Sequence, residues 1–334
     1  MRVLTSLILS WVVWAAAAAL PAPAPVQREL LVGANASLQA GEADKTMALL
    51  DTLDKLNKPD SRAEAYNLRC RVEYSLENWD QAANACEQAV KLDALNSGDH
   101  LWLGRALGEK ASRASFLSAY SLAKRVRAEL EEAARLNPRN ADALASLGEF
   151  YEQAPGVVGG GIEKSETVAA QLDRFDPVRT HELRSKIAEH RKDYGTAERE
   201  LKQAITGSAH PGLQWMTLAD FYRRRERWTE MESALRSGEN AAQRDKHAGV
   251  ALYNGASVLI ETRRDPVLAA KMLEEYLAVS VKTEEAPAFV AHTWLARLKQ
   301  QLGDTAAASR ERATALALAH DYKPALEIKL ELKH

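Results

Sequence analysis

Apolar residues recur along most of this chain at the spacing of amphipathic helices, and almost no stretch alternates as a strand would. Proline and glycine fall at intervals between the helical stretches. This pattern predicts an all-α protein built from many short helices. A chain of this kind is best searched for internal repeats before single motifs are weighed.

One pattern returns along the chain: an aromatic residue, then alanine at +3, an apolar residue at +7 and alanine at +10. It occurs in WDQAANACEQAV (79–90) and YGTAERELKQAI (194–205), and RWTEMESALRSG (227–238) repeats it. Trp228 follows Tyr194, and Leu235 follows Leu201, by one and the same interval. The chain therefore contains a repeat of about 34 residues.

A second set of residues completes the repeat. Pro138 at a repeat end is followed by Leu144, Leu147, Gly148 and Tyr151, and the matching places before Trp228 hold Trp215, Leu218, Ala219 and Tyr222. These residues resemble the tetratricopeptide repeat. The resemblance implies an all-α fold, an α-solenoid in which about eight helical hairpins stack into a right-handed superhelix. It covers residues 28–334 and is specific for fold but not for activity.

The register predicts where the hairpins lie. They are expected near 28–56, 63–95, 97–138, 141–177, 178–206, 211–239, 246–279 and 288–317, with a polar capping helix from Pro324 to His334. One hairpin cannot cover its own apolar faces, so successive hairpins must stack. We therefore expect contacts between neighbouring hairpins, and an interior shared by distant segments would contradict this expectation.

The N-terminus predicts export. Arg2 is the only charged residue before Arg28, and an apolar run from Val3 to Leu20 ends in small residues. Residues 1–19 are interpreted as a signal peptide and 20–27 as a Pro/Ala linker, which places the protein in a bacterial periplasm or cell envelope. The alternative is an uncleaved membrane anchor at residues 3–20. No membrane span is expected after cleavage.

A glycine-rich stretch at 154–162 contains Pro155, Gly156, Gly159, Gly160 and Gly161 and precedes Lys164 and Ser165. A phosphate-binding loop needs glycine, lysine and serine or threonine to be contiguous, after a strand. Here two residues intervene and a helix precedes. The repeat-end prolines Pro138 and Pro177 lie about five positions farther apart than one period, so the stretch is interpreted as an insertion between the two helices of one repeat.

The preceding repeat is also enlarged. The interval from Gly104 to Pro138 is longer than the pattern allows by about ten residues. We expect this extension, at 108–121, to protrude beside the glycine-rich insertion and to contact a partner. Basic residues near the two insertions, Arg105, Arg113 and Lys164, define the alternative function of an anion-binding or small-molecule-binding solenoid.

The two cysteines, Cys70 and Cys86, occupy inward-facing positions of the second hairpin in the repeat register. Helix geometry places their Cα atoms roughly 7 Å apart, at the limit of what a disulfide permits. A disulfide would persist in an exported protein. Two separately buried thiols are the alternative.

Sequence patterns that indicate chemistry are missing. The net charge of −2 gives no basic face for nucleic acid. His181 and His190 are nine positions apart, which puts them on opposite sides of a helix and excludes a zinc-protease motif. We therefore predict no metal, no cofactor and no catalytic residue, and classify the chain as a non-enzyme. An enzyme site assembled in the groove is the remaining alternative.

Stacked hairpins form a concave groove that binds peptides or proteins in many solenoids. The residues expected to face it are Arg71, Arg105, Glu149, Lys186, Asp220, Arg223 and Arg297. Their mixed signs argue against a strongly acidic or basic ligand. The sequence therefore predicts an interaction scaffold that binds a protein or peptide partner, with an oligomeric state that it leaves open.

Overall fold

The structure, a computed structural model, describes residues 25–56, 61–245, 249–280 and 282–329. Seventeen α-helices occupy most of these residues. They are α1 Pro25–Ala40, α2 Ala43–Lys55, α3 Arg62–Ser75, α4 Trp79–Leu92, α5 Ser97–Arg113, α6 Phe116–Leu136, α7 Ala141–Gln153, α8 Ile162–Leu172, α9 Pro177–His190, α10 Tyr194–Gly207, α11 Gly212–Arg224, α12 Trp228–Gln243, α13 Gly249–Thr262, α14 Pro266–Ala278, α15 Ala288–Gln301, α16 Thr305–Leu318 and α17 Lys323–Leu326.

The first sixteen helices pair into eight consecutive hairpins, as predicted. The two ends differ from the prediction. Helix α1 begins at Pro25 and buries Gln27, so the first repeat includes the last residues of the predicted linker. The capping helix is a single turn, α17, and it is not wholly polar, because Ala325 is buried. The predicted signal peptide at 1–19 and residues 330–334 lie outside the described residues.

Small residues allow the close helix contacts on which the stack depends. Gly148 in α7 faces Leu183 of α9, and a Cβ atom added there would lie 2.4 Å from the Leu183 side chain. Gly104 in α5 faces Leu130 of α6 in the same way, at 2.8 Å. These two glycines stand where the repeat pattern places small residues, so their role is to admit a neighbouring leucine.

Three hairpins share a histidine–glutamate hydrogen bond between their two helices. His181 bonds Glu200 at 2.7 Å, and His292 bonds Glu311 at 2.6 Å. Both pairs are separated by 19 positions. In the third hairpin His100 bonds Glu129 at 2.6 Å with a separation of 29. The difference, 29 − 19 = 10, independently measures the insertion that the proline spacing predicted between α5 and α6.

The stack closes on itself, which corrects the expectation that only neighbouring hairpins touch. One buried apolar cluster combines Leu31 and Leu50 of the first hairpin with Phe289 of α15 and Tyr322 near the C-terminal end. Gly41, in the turn between α1 and α2, lies so close to Ala288 that a Cβ atom would be 2.3 Å from its amide nitrogen. The first and last hairpins therefore bury their outer faces against each other, where an open solenoid would need polar caps.

Polar contacts reinforce this closure. The carboxylate of Asp44 in α2 accepts a hydrogen bond from the His320 backbone N–H at 3.0 Å and contacts its Nδ1 at 2.9 Å. The Tyr322 hydroxyl donates to Glu77 at 3.0 Å. The pKa of His320 is raised by its hydrogen bond to Asp44, so the charged imidazolium favours the closed form.

Cys70 and Cys86 are joined in a disulfide between α3 and α4, with their Cα atoms 5.2 Å apart. The sequence-based distance of roughly 7 Å was too long. Buried alanines at 82 and 83 let the two helices approach more closely than average side chains would allow. The bond therefore ties the two helices of the second hairpin together at a fully buried position.

Candidate functional site

The segment that leads from α14 into α15, residues 282–287, crosses the concave side of the closed stack; we call it the strap. Its Lys282 backbone N–H donates to the carbonyl of Gln39 in α1 at 2.5 Å. Further along, the Ser75 hydroxyl of α3 donates to the carbonyl of Glu284 at 3.0 Å. The strap therefore contacts the first two hairpins, although it belongs to the junction of the last two.

Two arginines that were predicted to face the groove bind the strap. Arg71 donates through Nε to Glu284 at 2.7 Å, and Arg105 forms an ion pair with Glu285 at 3.2 Å. Both guanidinium groups stack on the indole of Trp102, at 5.5 and 4.9 Å from its centre. The stacked cations are oriented for the two carboxylates, so the strap covers this part of the groove.

The groove stays open beyond the strap. A cavity of about 680 Å³ lies among α5, α7, α9 and the start of α11, and Arg105, Glu149 and Glu285 line it. A second cavity of about 610 Å³ follows among α9, α11 and α13, lined by Lys186, Asp220 and Arg223. Gln153 lines both cavities and is exposed. Together they form a concave channel that begins at the strap, where Glu285 lines it, and continues away from it.

Several charged residues in this channel form ion pairs with one another. Lys186 donates to Glu149 at 2.6 Å, across successive repeats. Arg223 donates to Asp220 at 2.7 Å and contacts Glu261 at 3.2 Å. A ligand entering here meets charges of both signs, although acidic residues outnumber basic ones in the lining of the two cavities, nine to five.

Two largely buried carboxyl groups lie on the first helices of the third and fifth hairpins. Burial raises the pKa of Asp99 to about 6, against a hydrogen bond from Asn67 at 2.7 Å that lowers it. Burial likewise raises the pKa of Glu182, which accepts from Gln214 at 3.0 Å and lines the larger cavity. Each pair is separated by 32 positions, so both amides connect one repeat to the next.

The remaining predicted residues are dispersed. Arg113 and Arg297 line a third cavity, of about 630 Å³, on the other side of the strap. Arg297 stacks on Trp294 at 4.9 Å and donates to the Pro324 carbonyl at 3.1 Å. Lys164 lies apart, at the glycine-rich insertion. The predicted residues therefore form two groups separated by the strap, plus one outlier.

The glycine-rich insertion is a compact turn whose amides are used internally. The backbone N–H of Gly161 donates to the carbonyl of Tyr151 at 2.8 Å, and that of Gly160 donates to the carbonyl of Pro155 at 3.2 Å. Lys164 turns back to the carbonyl of Gly159 at 2.8 Å. These groups are therefore not presented to an anion in this conformation.

Two features explain why glycine is used there. Gly159 and Gly161 have φ of 96° and 155°, a region that other residues rarely adopt. A Cβ atom on Gly160 would lie 1.8 Å from the Ala154 carbonyl oxygen. Pro155 follows the last turn of α7, and Gly156 opens a single 3₁₀ turn, Gly156–Val158, that packs beside α6.

The two insertions do lie side by side, as expected from the sequence. Gly159 approaches Arg127 of α6 so closely that a Cβ atom would be 1.9 Å from its guanidinium. Helix α6 has 21 residues where α4 has 14, and α5 has 17 where α3 has 14. The α5–α6 hairpin therefore extends beyond its neighbours by about three turns in total.

Sequence reasoning missed the strap and the closure, because no repeat position marks them. The strap lies in an irregular junction, TEEAP, whose paired glutamates were the available signal. Sequence reasoning also missed a group of possible metal ligands, Asp44, His320 and Asp321, whose ligand atoms lie within 4.8 Å of one another. Asp44 and His320 already bond each other at the closure, so we interpret this group as a structural contact.

Among the residues that the structure describes, no helix is both long and apolar enough to cross a bilayer.

Comparison with known proteins gives matches of structure alone. No protein-family model matches the chain, and no curated protein matches it. Solved structures similar to it include a thermophilic TPR protein of Thermus thermophilus (19% identity over 58% of this chain and 98% of that chain, TM-score 0.47). Others are a tetratricopeptide repeat protein of Parabacteroides merdae (12%, 83% and 100%, 0.46) and pilF of Pseudomonas aeruginosa (14%, 80% and 97%, 0.36).

Eight stacked hairpins, small residues at the helix contacts and a period of about 34 residues define the class: the chain has the fold of a tetratricopeptide-repeat solenoid. Within this fold the chain has a closed form, with a strap across the concave side.

Proposed function

We propose that the protein is an interaction scaffold that binds a peptide or a protein segment in the concave channel formed by α7, α9, α11 and α13. One observation carries the proposal: two adjoining cavities, of about 680 and 610 Å³, continue along successive first helices and share Gln153. A channel that spans several repeats fits an extended chain better than a compact small molecule.

The side chains of the channel restrict the kind of ligand that can bind there. The pairs Lys186–Glu149 and Arg223–Asp220 offer both donors and acceptors at its wall. A bound segment with polar side chains of both signs can form ion pairs with these residues in place of the pairs they make with each other, at little net cost in free energy. A segment with charges of one sign would leave like charges unpaired. The partner is therefore proposed to be a segment of mixed polarity, and nucleic acid is not expected.

Site-specific photo-crosslinking tests the channel. A photoreactive residue at Gln153, which faces both cavities, is compared with one at Gln203, which is exposed on the second helix of its hairpin. We expect protein adducts from Gln153 and few from Gln203. The captured partner, once purified, should bind Lys186→Glu more weakly than the native chain. Equal capture at both positions, or no effect of Lys186→Glu, would contradict the proposal.

The compartment remains part of the proposal. The buried disulfide between Cys70 and Cys86 supports an oxidising environment, in agreement with the apolar N-terminal run. We propose the periplasm or cell envelope, with a membrane anchor at 3–20 as the alternative. Fusing residues 1–24 to a reporter enzyme that is active only after export tests this: an inactive reporter would exclude the proposed location.

Two alternative functions were considered beside the interaction scaffold: anion binding and catalysis. The anion-binding alternative loses its basis at the glycine-rich insertion, because the amides and Lys164 contact the chain itself. No observation favours an enzyme site in the groove, and the prediction that the chain is not an enzyme stays a prediction.

A further inference from the structure

The end of the α5–α6 hairpin carries the two most exposed large apolar side chains among the described residues. Phe116 is 86% exposed and Leu117 is 81% exposed, and Tyr120 one turn later is 39% exposed. They sit at the first turns of α6, which extend beyond the neighbouring hairpins. Adjacent apolar residues of this size at a projecting end are rare on a protein surface and indicate an interaction.

These side chains form one stripe with a cation behind them. Measured around the α6 axis from Phe116, Tyr120 lies at about 40°, Lys124 at about 80° and Leu117 at about 100°. The Cα atom of Lys124 is also about 12 Å from that of Phe116 along the axis. Its ammonium group stacks on the Tyr120 ring at 4.6 Å. The buried face of α6, marked by Val126 and Leu130, is centred roughly 110° away from the middle of the stripe.

The sequence around the end of the α5–α6 hairpin contains basic but no acidic residues, and ion pairs with acidic residues outside this stretch neutralise most of this charge. Residues 110–128 contain five basic side chains and no acidic one. Four of the five also face an acid: Lys110 with Asp80, Arg113 with Glu109, Arg125 with Glu87, and Arg127 with Glu131. Lys124 has no such partner within the described part of the chain. The surplus positive charge therefore lies behind the apolar tip.

A convex apolar tip backed by a lysine matches the cross-section of a membrane surface. Apolar side chains of surface-bound helices reach about 5–10 Å below the headgroups. The Lys124 ammonium stacks on Tyr120, whose Cα is about 6 Å behind that of Phe116 along the axis, so this charge lies at headgroup level when Phe116 and Leu117 insert. We propose that this tip, Phe116, Leu117 and Tyr120 with Lys124 behind them, inserts into the surface of an anionic phospholipid bilayer. A protein pocket would fit the apolar residues but would not need the lysine at that depth.

A fluorescent probe at the tip tests the proposal in the full chain. Both native cysteines are in the disulfide, so Ser118→Cys provides one free thiol for an environment-sensitive dye, and Thr206→Cys on α10 provides the matched control. The labelled chains are mixed with phosphatidylcholine vesicles, with and without phosphatidylglycerol, that carry a nitroxide quencher in the acyl chains. Because quenching reports the probe position, attachment through residues 1–24 does not produce the signal.

We expect the dye on the Ser118→Cys chain to shift to the blue and to be quenched by anionic vesicles, while the dye on the Thr206→Cys chain is unaffected. Lys124→Gln should weaken the lipid dependence about fivefold, the effect of one basic residue near an anionic surface. Phe116→Ser with Leu117→Ser should abolish quenching, and Val267→Ser, at another exposed apolar site, should not.

Three results would overturn the proposal. The first is an unchanged tip probe with anionic vesicles. The second is equal quenching of the control probe on α10. The third is a blue shift that grows with protein concentration in the absence of vesicles, which would assign the tip to contact between two copies of the chain. Circular dichroism of each variant checks that loss of quenching does not follow from unfolding.

Discussion

At the scale of single residues, the stack contains buried positions whose surroundings restrict the charge or the size of the side chain. Asp99 is 2% exposed, and one of its carboxylate oxygens, Oδ2, has no hydrogen-bond partner within the described chain. Burial without full pairing penalises the charged form, so the folded protein binds a proton at Asp99 more readily than the unfolded chain does.

This gives a pH dependence of defined sign. Because the folded pKa, about 6, exceeds the unfolded value of about 3.9, the contribution of Asp99 to stability is largest below pH 4 and declines as the pH rises to 6. Asp99→Asn should remove that decline. The measurement is the free energy of unfolding of both chains at pH 4 and pH 7: the stability of Asp99→Asn relative to the native chain should rise with pH. A constant difference would contradict the raised pKa.

Two glycines in helices make a matched pair. A Cβ atom at Gly148 would overlap Leu183, whereas nothing lies within 4 Å of one at Gly108 in α5. Gly148→Ala should destabilise by about 1–3 kcal/mol through overpacking. Gly108→Ala should stabilise by about 1 kcal/mol, because alanine favours the helix. Urea unfolding measures both, and stabilisation by Gly148→Ala would show that the α7–α9 contact is looser than described.

At the scale of elements, the repeat pattern predicted the most and the irregular junctions the least. Eight hairpins followed from the period, since each helix buries a stripe that the spacing of apolar residues records. The ten-residue extension followed from proline spacing. The strap could not be predicted, because its contacts join Glu284 to Arg71 across 213 positions and depend on how the whole stack curves. The channel residues were predicted from the repeat register, but their mutual pairing could not be read from the sequence.

The disulfide is an element-scale contribution that can be isolated. It closes a loop with a sequence separation of 16 in the second hairpin, for which loop entropy gives about 3 kcal/mol. Adding a reductant, or replacing both cysteines by alanine, should lower the free energy of unfolding by that amount. The double variant serves as the control, since reductant should leave it unchanged; sensitivity to reductant in that variant would point to another cause.

At the scale of the whole molecule, the strap and the closure make the stack a ring. The Arg71–Glu284 pair is largely shielded from water, with side chains 19% and 13% exposed. Removing one member of such a pair leaves a poorly solvated charge, whereas replacing both by neutral residues of similar size removes that penalty.

Arg71→Met is therefore expected to cost about 3–5 kcal/mol, and Arg71→Met with Glu284→Gln much less. Lys45→Met, which breaks the exposed Lys45–Glu42 pair, should cost under about 1 kcal/mol and provides the control. Thermal and urea unfolding measure all three. An Arg71→Met chain as stable as the native one would show that the strap is not fastened to α3 in solution.

An open row of repeats can unravel from either extremity, one hairpin after another. Here the outermost hairpins, with Leu31 at one side and Phe289 at the other, occupy the same apolar cluster, so neither has a free margin where fraying could start. Amide hydrogens in α1 and α16 should then exchange with solvent nearly as slowly as those in α9. The molecule would therefore unfold cooperatively, with all hairpins opening together.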